Sequence, residues 1–186
     1  ADSLIAVGRA GIGVDNIDIE AATKAGVMVI NAPQSNIISA AEHAIALMMS
    51  LARHIPNAHR DLMSGQWNRS KYEGTEIAGK NIGIVGLGRV GTLVAERLSG
   101  FEANLIGFDP FVSSERAKEL GVTLYEKLDE FVAACDIMSV HLPKTKETVD
   151  IINAEALKNA RPHMLLINTA RGGIVNQDDL YVALRD

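Results

Sequence analysis

The chain has 186 residues, a net charge of −5 and a single cysteine, Cys135. That balance leaves no electrostatic footprint for nucleic acid or an anionic membrane. One cysteine excludes an internal disulfide or a cysteine-built zinc cage and suits a reducing cytoplasm. With 47% apolar and 22% charged residues the chain can build one good core and part of another, and no apolar run reaches the ~18 residues of a membrane span.

Residues 4–7 form an apolar run and are expected to be a buried strand. A flexible loop follows at residues 8–13, then a helical stretch over 18–25 that stops at Gly26, a natural left-handed terminator. Residues 27–30 are a second apolar run. This strand–helix–strand piece is too small to fold alone. The chain opens inside its first strand with no basic and apolar leader, which suggests a piece of a longer protein.

Asn31-Ala32-Pro33 looks like a joint. Ser39 followed by Glu42 reads as a capping box opening a long helix, whose apolar seam is Ala41, Ile45, Met48, Ala52 and Ile55. Pro56 must kink or end it, and a second helical piece runs to Gly65. The methionines in this region read as core rather than chemistry.

From Asn81 the pattern alternates. Strands are expected at 81–85, 104–108, 122–124, 136–140 and 164–168. Helices are expected at 90–99 (closed by Gly100), 115–120, 128–134 and 154–160 (with Asn153 as N-cap), and a last one is opened by Asn176 with Asp179. Near-continuous apolar strands between helices indicate a parallel sheet covered on both faces. The fold class is therefore α/β, a Rossmann-type doubly wound sheet, with a remnant of a second domain at the start.

Strand 81–85 runs into Gly86, Gly88 and Gly91, spaced G-x-G-x-x-G. Gly86 suits a tight turn, Gly88 leaves room for a pyrophosphate, and Gly91 lets the helix meet the strand. The following helix start offers unpaired N–H groups to an anion. The next strand ends in Asp109, eighteen residues after Gly91. A carboxylate there can accept both ribose hydroxyls of NAD and would repel the extra phosphate of NADP; the bland alternative is a turn starter before Pro110. Arg116, nearby, keeps NADP in view.

Ligands of open parallel sheets sit beyond the carboxyl ends of the strands. That edge holds Asp109, then His141-Leu142-Pro143, then Thr169-Ala170-Arg171-Gly172-Gly173. Arg171 can hold a substrate carboxylate bidentately and polarise an adjacent carbonyl, unless it is only a surface arginine in a turn. Among five histidines only His141 lies at this edge, which by position makes it a candidate proton acceptor. His43, His54 and His59 accompany the long helix, and His163 lies at the other edge. No metal spacing is present.

The stretches GRAGIGVDNIDIEAATKAGVMVINAP (8–33), SNIISAAEHAIALMMSLAR (35–53), GTEIAGKNIGIVGLGRVG (74–91), FDP (108–110), SVHLPKTKET (139–148) and INTARGGIVN (167–176) resemble the D-isomer-specific 2-hydroxyacid dehydrogenases, over essentially the whole chain. Within that family the resemblance is to the branch that oxidises 3-phosphoglycerate to 3-phosphohydroxypyruvate at the entry to serine synthesis. It implies that residues 1–33 end the first segment of a substrate domain. Residues 34–186 are then an NAD-binding domain cut before the family's final segments. It further implies that Arg89, Val90 and Asp109, with the glycines, hold the phosphates and adenosine ribose of NAD. His141, Leu142, Pro143, Thr169, Ala170 and Arg171 would line its remaining length, with Ile12 also against the cofactor. Arg171 matches the family's catalytic arginine, and Asn36 and Arg9 match positions at the small-molecule substrate.

The family's proton-transferring histidine and its partner glutamate match segments further downstream, so the resemblance moves His141 to a cofactor-lining role. The chain is then expected to bind NAD but to turn over little. The resemblance also implies a cytoplasmic homodimer formed through the nucleotide domain, with Trp67 as a candidate anchor. The alternative is a non-catalytic NAD(H)-sensing module, as in the corepressor branch of the same family.

Overall fold

The computed structural model describes residues 3–185, which form two compact units, one ending at Ser39 and one beginning at Ala40. In the smaller unit β1 (Ala6–Arg9) and β2 (Met28–Asn31) pair in parallel around α1 (Ile19–Lys24), with Ala6 opposite Met28 and Arg9 opposite Asn31. The strand expected at residues 4–7 is thus shifted by two, because pairing with β2 draws Gly8 and Arg9 out of the loop. Asp18 caps α1 through the Ala21 N–H at 2.8 Å, and Gly26 (φ 68°) ends it in the left-handed region. Ile5 and Met28 remain 79% and 58% exposed, so the first strand is not the buried one expected: the unit is too small to cover its own strands.

The helix α2 (Ile37–Ala52) is already under way at Ser39. An N-cap must lie outside the helix with extended backbone, so the capping box expected at Ser39 and Glu42 does not form; Glu42 instead faces Arg97 at 3.8 Å. The expected break before Pro56 is present. His54 takes a left-handed backbone (φ 54°), and α3 (Ile55–Met63) restarts with Pro56 in its first turn, where a missing N–H costs nothing. The break turns Ile55, the end of the expected seam, outward to 52% exposure.

The larger unit is built on five parallel strands: β3 (Asn81–Val85), β4 (Asn104–Phe108), β5 (Thr123–Leu124), β6 (Ile137–Val140) and β7 (Leu165–Asn168). Their order is β5-β4-β3-β6-β7, so the chain reverses direction across the sheet between β3 and β6. Side chains alternate between two cores. Ile82, Ile84, Leu105 and Ile137 pack with Ala41, Ala44 and Met48 of α2, with Val94, Ala95 and Leu98 of α4 (Arg89–Leu98), and with Ala117 of α5 (Ser114–Glu119). Val85, Ile106, Met138 and Val140 pack with Phe131 and Val132 of α6 (Leu128–Ala134) and Leu157 of α7 (Ala154–Leu157). Helices therefore cover both faces, the Rossmann-type arrangement.

Two terminators differ from expectation. Gly100 lies inside a 3₁₀ turn, and Glu102 (φ 56°) makes the left-handed exit. The expected helix 154–160 closes at Leu157. Asn153 does cap it, accepting from the Glu155 and Ala156 N–H groups. Asp179, in α8 (Gln177–Arg185), reaches the Ala154 N–H at 2.8 Å, while Asn176 alone accepts from the Asp179 N–H at the start of α8.

Candidate functional site

The switch between β3 and β6 brings three loops to the carboxyl edge of the sheet: the glycine turn after β3, residues 141–152 after β6, and residues 169–173 after β7. In open parallel sheets a ligand crevice forms at this reversal.

The three glycines differ in what a side chain would meet. Gly86 has φ 89°, and a Cβ there would press on the Leu142 side chain and on the His141 carbonyl. At Gly91 a Cβ would collide with the Gly86 carbonyl oxygen, so α4 sits directly against the turn. Gly88, at the N-cap of α4, has nothing within 4 Å of that position. Two glycines therefore serve the protein's own packing, and the third keeps a space clear beside the first N–H groups of α4.

Asp109, just beyond β4, is held by that turn. Its Oδ2 accepts from the Leu87 N–H at 2.8 Å, and its Oδ1 accepts from the Phe111 N–H at 2.9 Å. Each oxygen keeps a further lone pair, so a pre-oriented carboxylate stands beside the space at Gly88. Arg116, the residue that left NADP in view, pairs on its own helix with Glu119 at 2.9 Å.

His141 does not stand as a general base. Burial pushes its imidazole down to about 4, and its Nε2 is 2.9 Å from the Oγ of the fully buried Ser139. The ring is neutral at pH 7 and a weak proton acceptor. The 141–148 loop is closed by Thr148, whose hydroxyl donates to the Pro143 carbonyl at 2.6 Å and accepts from the Thr145 N–H at 2.8 Å. The next stretch zips onto the other loop: the Asp150 N–H donates to the Gly173 carbonyl at 2.8 Å, and Ile152 bridges Val175.

In the loop after β7, Arg171 donates from Nη1 to the Ala170 carbonyl at 2.8 Å. Asn168 Oδ1 accepts from the Ala170 N–H at 3.0 Å, and its Nδ2 donates to the Arg171 carbonyl at 3.1 Å. Between these bonds lies Thr169, whose Oγ1 is, among the described residues, the only buried side-chain oxygen or nitrogen without a partner. Such a group is costly unless something supplies the missing bond. This orphaned hydroxyl, the clear space at Gly88 and the waiting carboxylate of Asp109 together fit an elongated polar ligand such as a dinucleotide.

Arg89 and Val90 lie in the first turn of α4. Arg9, Ile12 and Asn36 belong to the smaller unit. Arg9 closes β1 with its guanidinium 3.3 Å from the Ala10 carbonyl, the Ile12 carbonyl accepts from Asn31 Nδ2 at 2.9 Å, and Asn36 is exposed. His163 lies at the amino edge of the sheet, as expected, 3.0 Å from Asp136. Burial raises the Asp136 carboxyl, but the Asn81 N–H, His163 and Arg161 outweigh it and hold the group down to about 2, which makes the cluster a structural tie. No group of metal-ligating side chains occurs among the described residues.

Sequence reasoning missed the Leu87 N–H, Ser139, Thr148 and Asn168. Only the polar residues inside otherwise apolar strand ends, Ser139 and Asn168, carried a visible signal.

Residues 45–186 match the family described as D-isomer specific 2-hydroxyacid dehydrogenase, NAD binding domain. The chain is 49% identical over 185 residues to D-3-phosphoglycerate dehydrogenase of Archaeoglobus fulgidus, covering all of this chain and 35% of that protein. It is 50% identical over 184 residues to D-3-phosphoglycerate dehydrogenase of Bacillus subtilis, covering 99% and 35%. The chain thus spans about a third of the length of these curated relatives. Among solved structures, the NAD-dependent formate dehydrogenase of Staphylococcus aureus in complex with NAD superposes with a TM-score of 0.88 at 36% identity, over all of this chain and 55% of that one.

Proposed function

The chain belongs to the D-isomer-specific 2-hydroxyacid dehydrogenase family and carries its NAD-binding domain, and from that premise we propose that it holds NAD in an enzyme oxidising a D-2-hydroxy acid, 3-phosphoglycerate in particular. The observation that carries the cofactor half is the Asp109 carboxylate, tied to the Leu87 N–H at 2.8 Å beside the open side of Gly88. A dinucleotide would rest its pyrophosphate on the glycine turn with Arg89 and Val90, and its adenosine ribose on Asp109. His141, Leu142, Pro143, Thr169 and Ala170 would line the remainder. When bound, NAD supplies the hydride-accepting ring.

The chain's own chemistry is orientation and charge. Arg171 would pair with the substrate carboxylate and draw electron density from the carbonyl formed on oxidation. Arg9 and Asn36 are the proposed substrate contacts of the smaller unit, whose residues 1–33 we assign to the substrate domain, with 34–186 as the nucleotide domain. His141 is unsuited to take the hydroxyl proton, because its buried ring holds a proton only near pH 4. The proton-transferring histidine and glutamate are proposed to come from outside these 186 residues, so the chain by itself binds without turning over. The near-50% identity to relatives named D-3-phosphoglycerate dehydrogenase supports the substrate choice and a place in serine synthesis.

We further propose a cytoplasmic homodimer formed through the larger unit. No helix among the described residues is long and apolar enough to cross a membrane. Leu47, Leu51, Ile55, Leu62, Met63 and Trp67 are between 42% and 74% exposed along α2, α3 and the following segment, a patch whose burial a partner copy would explain. Calorimetry of NAD and NADP against the chain, with Asp109→Ala beside it, tests the cofactor site; equal affinity of mutant and parent for NAD removes Asp109 from it. Turnover of a panel of D-2-hydroxy acids by the complete protein tests the substrate, and a sedimentation mass of one chain at high concentration overturns the dimer.

A further inference from the structure

The loop carrying Arg171 is tied at its far end, where the Gly173 carbonyl accepts from the Asp150 N–H at 2.8 Å, and at its near end by the side chain of Asn168. Asn168, the last residue of the edge strand β7, spans the loop from both sides, accepting from the Ala170 N–H at 3.0 Å and donating to the Arg171 carbonyl at 3.1 Å. The assignment of oxygen and nitrogen in this amide is forced, since a peptide N–H only donates and a carbonyl only accepts. No other residue of similar size offers one acceptor and one donor on adjacent atoms. Aspartate would keep the bond to Ala170 but set a second acceptor against the Arg171 carbonyl.

The clamp has a consequence for Thr169, which lies inside it. A loop free to rotate would turn the buried Thr169 hydroxyl toward a backbone partner or water, because an unsatisfied buried donor is unfavourable. The structure keeps that Oγ1 buried and without a partner. With Ala170 and Arg171 both fixed by Asn168, the backbone on either side of Thr169 has little freedom to relieve it.

We propose that Asn168 is a positioning residue for ligand binding: its amide locks the 169–171 loop in the conformation that presents the Thr169 hydroxyl and Arg171 to the cofactor's distal half. The proposal rests on the reading that this loop lines the nicotinamide end of NAD, while the glycine turn and Asp109 hold the adenosine end. Asn168 itself touches neither in this scheme and acts through the loop.

The test uses the 186-residue chain and two ligands, NAD and AMP, titrated by calorimetry against the parent, Asn168→Ala and Asn168→Asp. Both variants are expected to bind NAD about tenfold more weakly, the loss of one well-placed bond to the ligand, while AMP affinity stays within about twofold of the parent. AMP binding in each variant also certifies that it is folded. Unchanged NAD affinity in the alanine variant, or an equal loss for NAD and AMP in the aspartate variant, overturns the clamp. Failure of the parent to bind either ligand overturns the cofactor reading instead, so the two failures are distinct.

Discussion

Asp109 Oδ2 and the Leu87 N–H lie 2.8 Å apart, so the acid at the end of β4 is fastened to the middle of the glycine turn after β3. The bond aligns the carboxylate before any ligand arrives, and pre-alignment lowers the ordering cost of binding. Asp109→Asn keeps an oxygen for Leu87 but removes the charge. It is expected to weaken NAD roughly tenfold and to weaken NADP far less, since charge repulsion is what disfavours a ribose phosphate. Paired calorimetric titrations check this. A variant that loses both cofactors in the same proportion contradicts the role of the charge.

Gly91 and Gly88 make opposite predictions from one motif. Gly91→Ala drives a Cβ into the Gly86 carbonyl oxygen, a backbone atom that moves only if α4 leaves the sheet, and is expected to cost roughly 3 kcal/mol of stability or more. Gly88→Ala meets nothing within 4 Å and has a negative φ, so its stability should stay within about 1 kcal/mol of the parent. The same methyl occupies the space kept for phosphates, and NAD binding should fall. Urea unfolding and calorimetry on the two variants separate packing from ligand room; a stable Gly91→Ala protein would contradict the geometry.

What could be read in advance follows from which physics leaves a trace in sequence. The alternation of apolar runs with helical stretches located β3 to β7 because burial on both faces of a sheet demands it. Gly86, Gly91 and Asp109 were legible because a left-handed turn, a close helix approach and a strand-end acid each restrict the residue type. Bonds between a side chain and nearby backbone leave no period, so the Thr148 loop closure was invisible until the loops were folded, and Asn168 showed only as a polar residue at the end of an apolar strand. Ser39 misled for the same reason: Ser followed by Glu fits a cap, yet α2 had already begun at Ile37. By position alone His141 is a candidate base; the family resemblance moves it to the cofactor, and its burial beside Ser139 weakens the ring as a base.

Cys135 provides a probe of the second core. It is fully buried, its Sγ lies 3.2 Å from the Phe131 carbonyl, and burial pushes the thiol up to about 12. Reaction needs an exposed thiolate, so a disulfide reagent should leave the folded chain untouched at pH 8 and modify it fully in denaturant. Gly83→Ala places a methyl against Cys135 Sγ and the Phe131 ring and should open this core, giving a measurable rate of labelling without denaturant. Rapid labelling of the native parent would contradict the packing of α6 on β3.

His141 gives the chain a pH dependence whose sign is set by burial. Its imidazole is lowered from 6.5 to about 4, so between these values the unfolded chain takes up a proton that the folded chain refuses. The stability contributed by the neutral ring is complete above pH 6.5 and is lost as pH falls toward 4. The slope is about 1.4 kcal/mol per pH unit, a total on the order of 3 kcal/mol. Asp136 acts lower still, since its carboxyl, held near 2, begins to lose its contribution only below its ordinary value of 3.8. Stability measured by urea at pH 7 and pH 5 should therefore fall in the parent, and fall much less in His141→Asn, which cannot titrate there. The NMR titration of the His141 ring should show its midpoint near 4; a midpoint near 6.5 would mean the ring meets water and would restore it as a candidate proton acceptor.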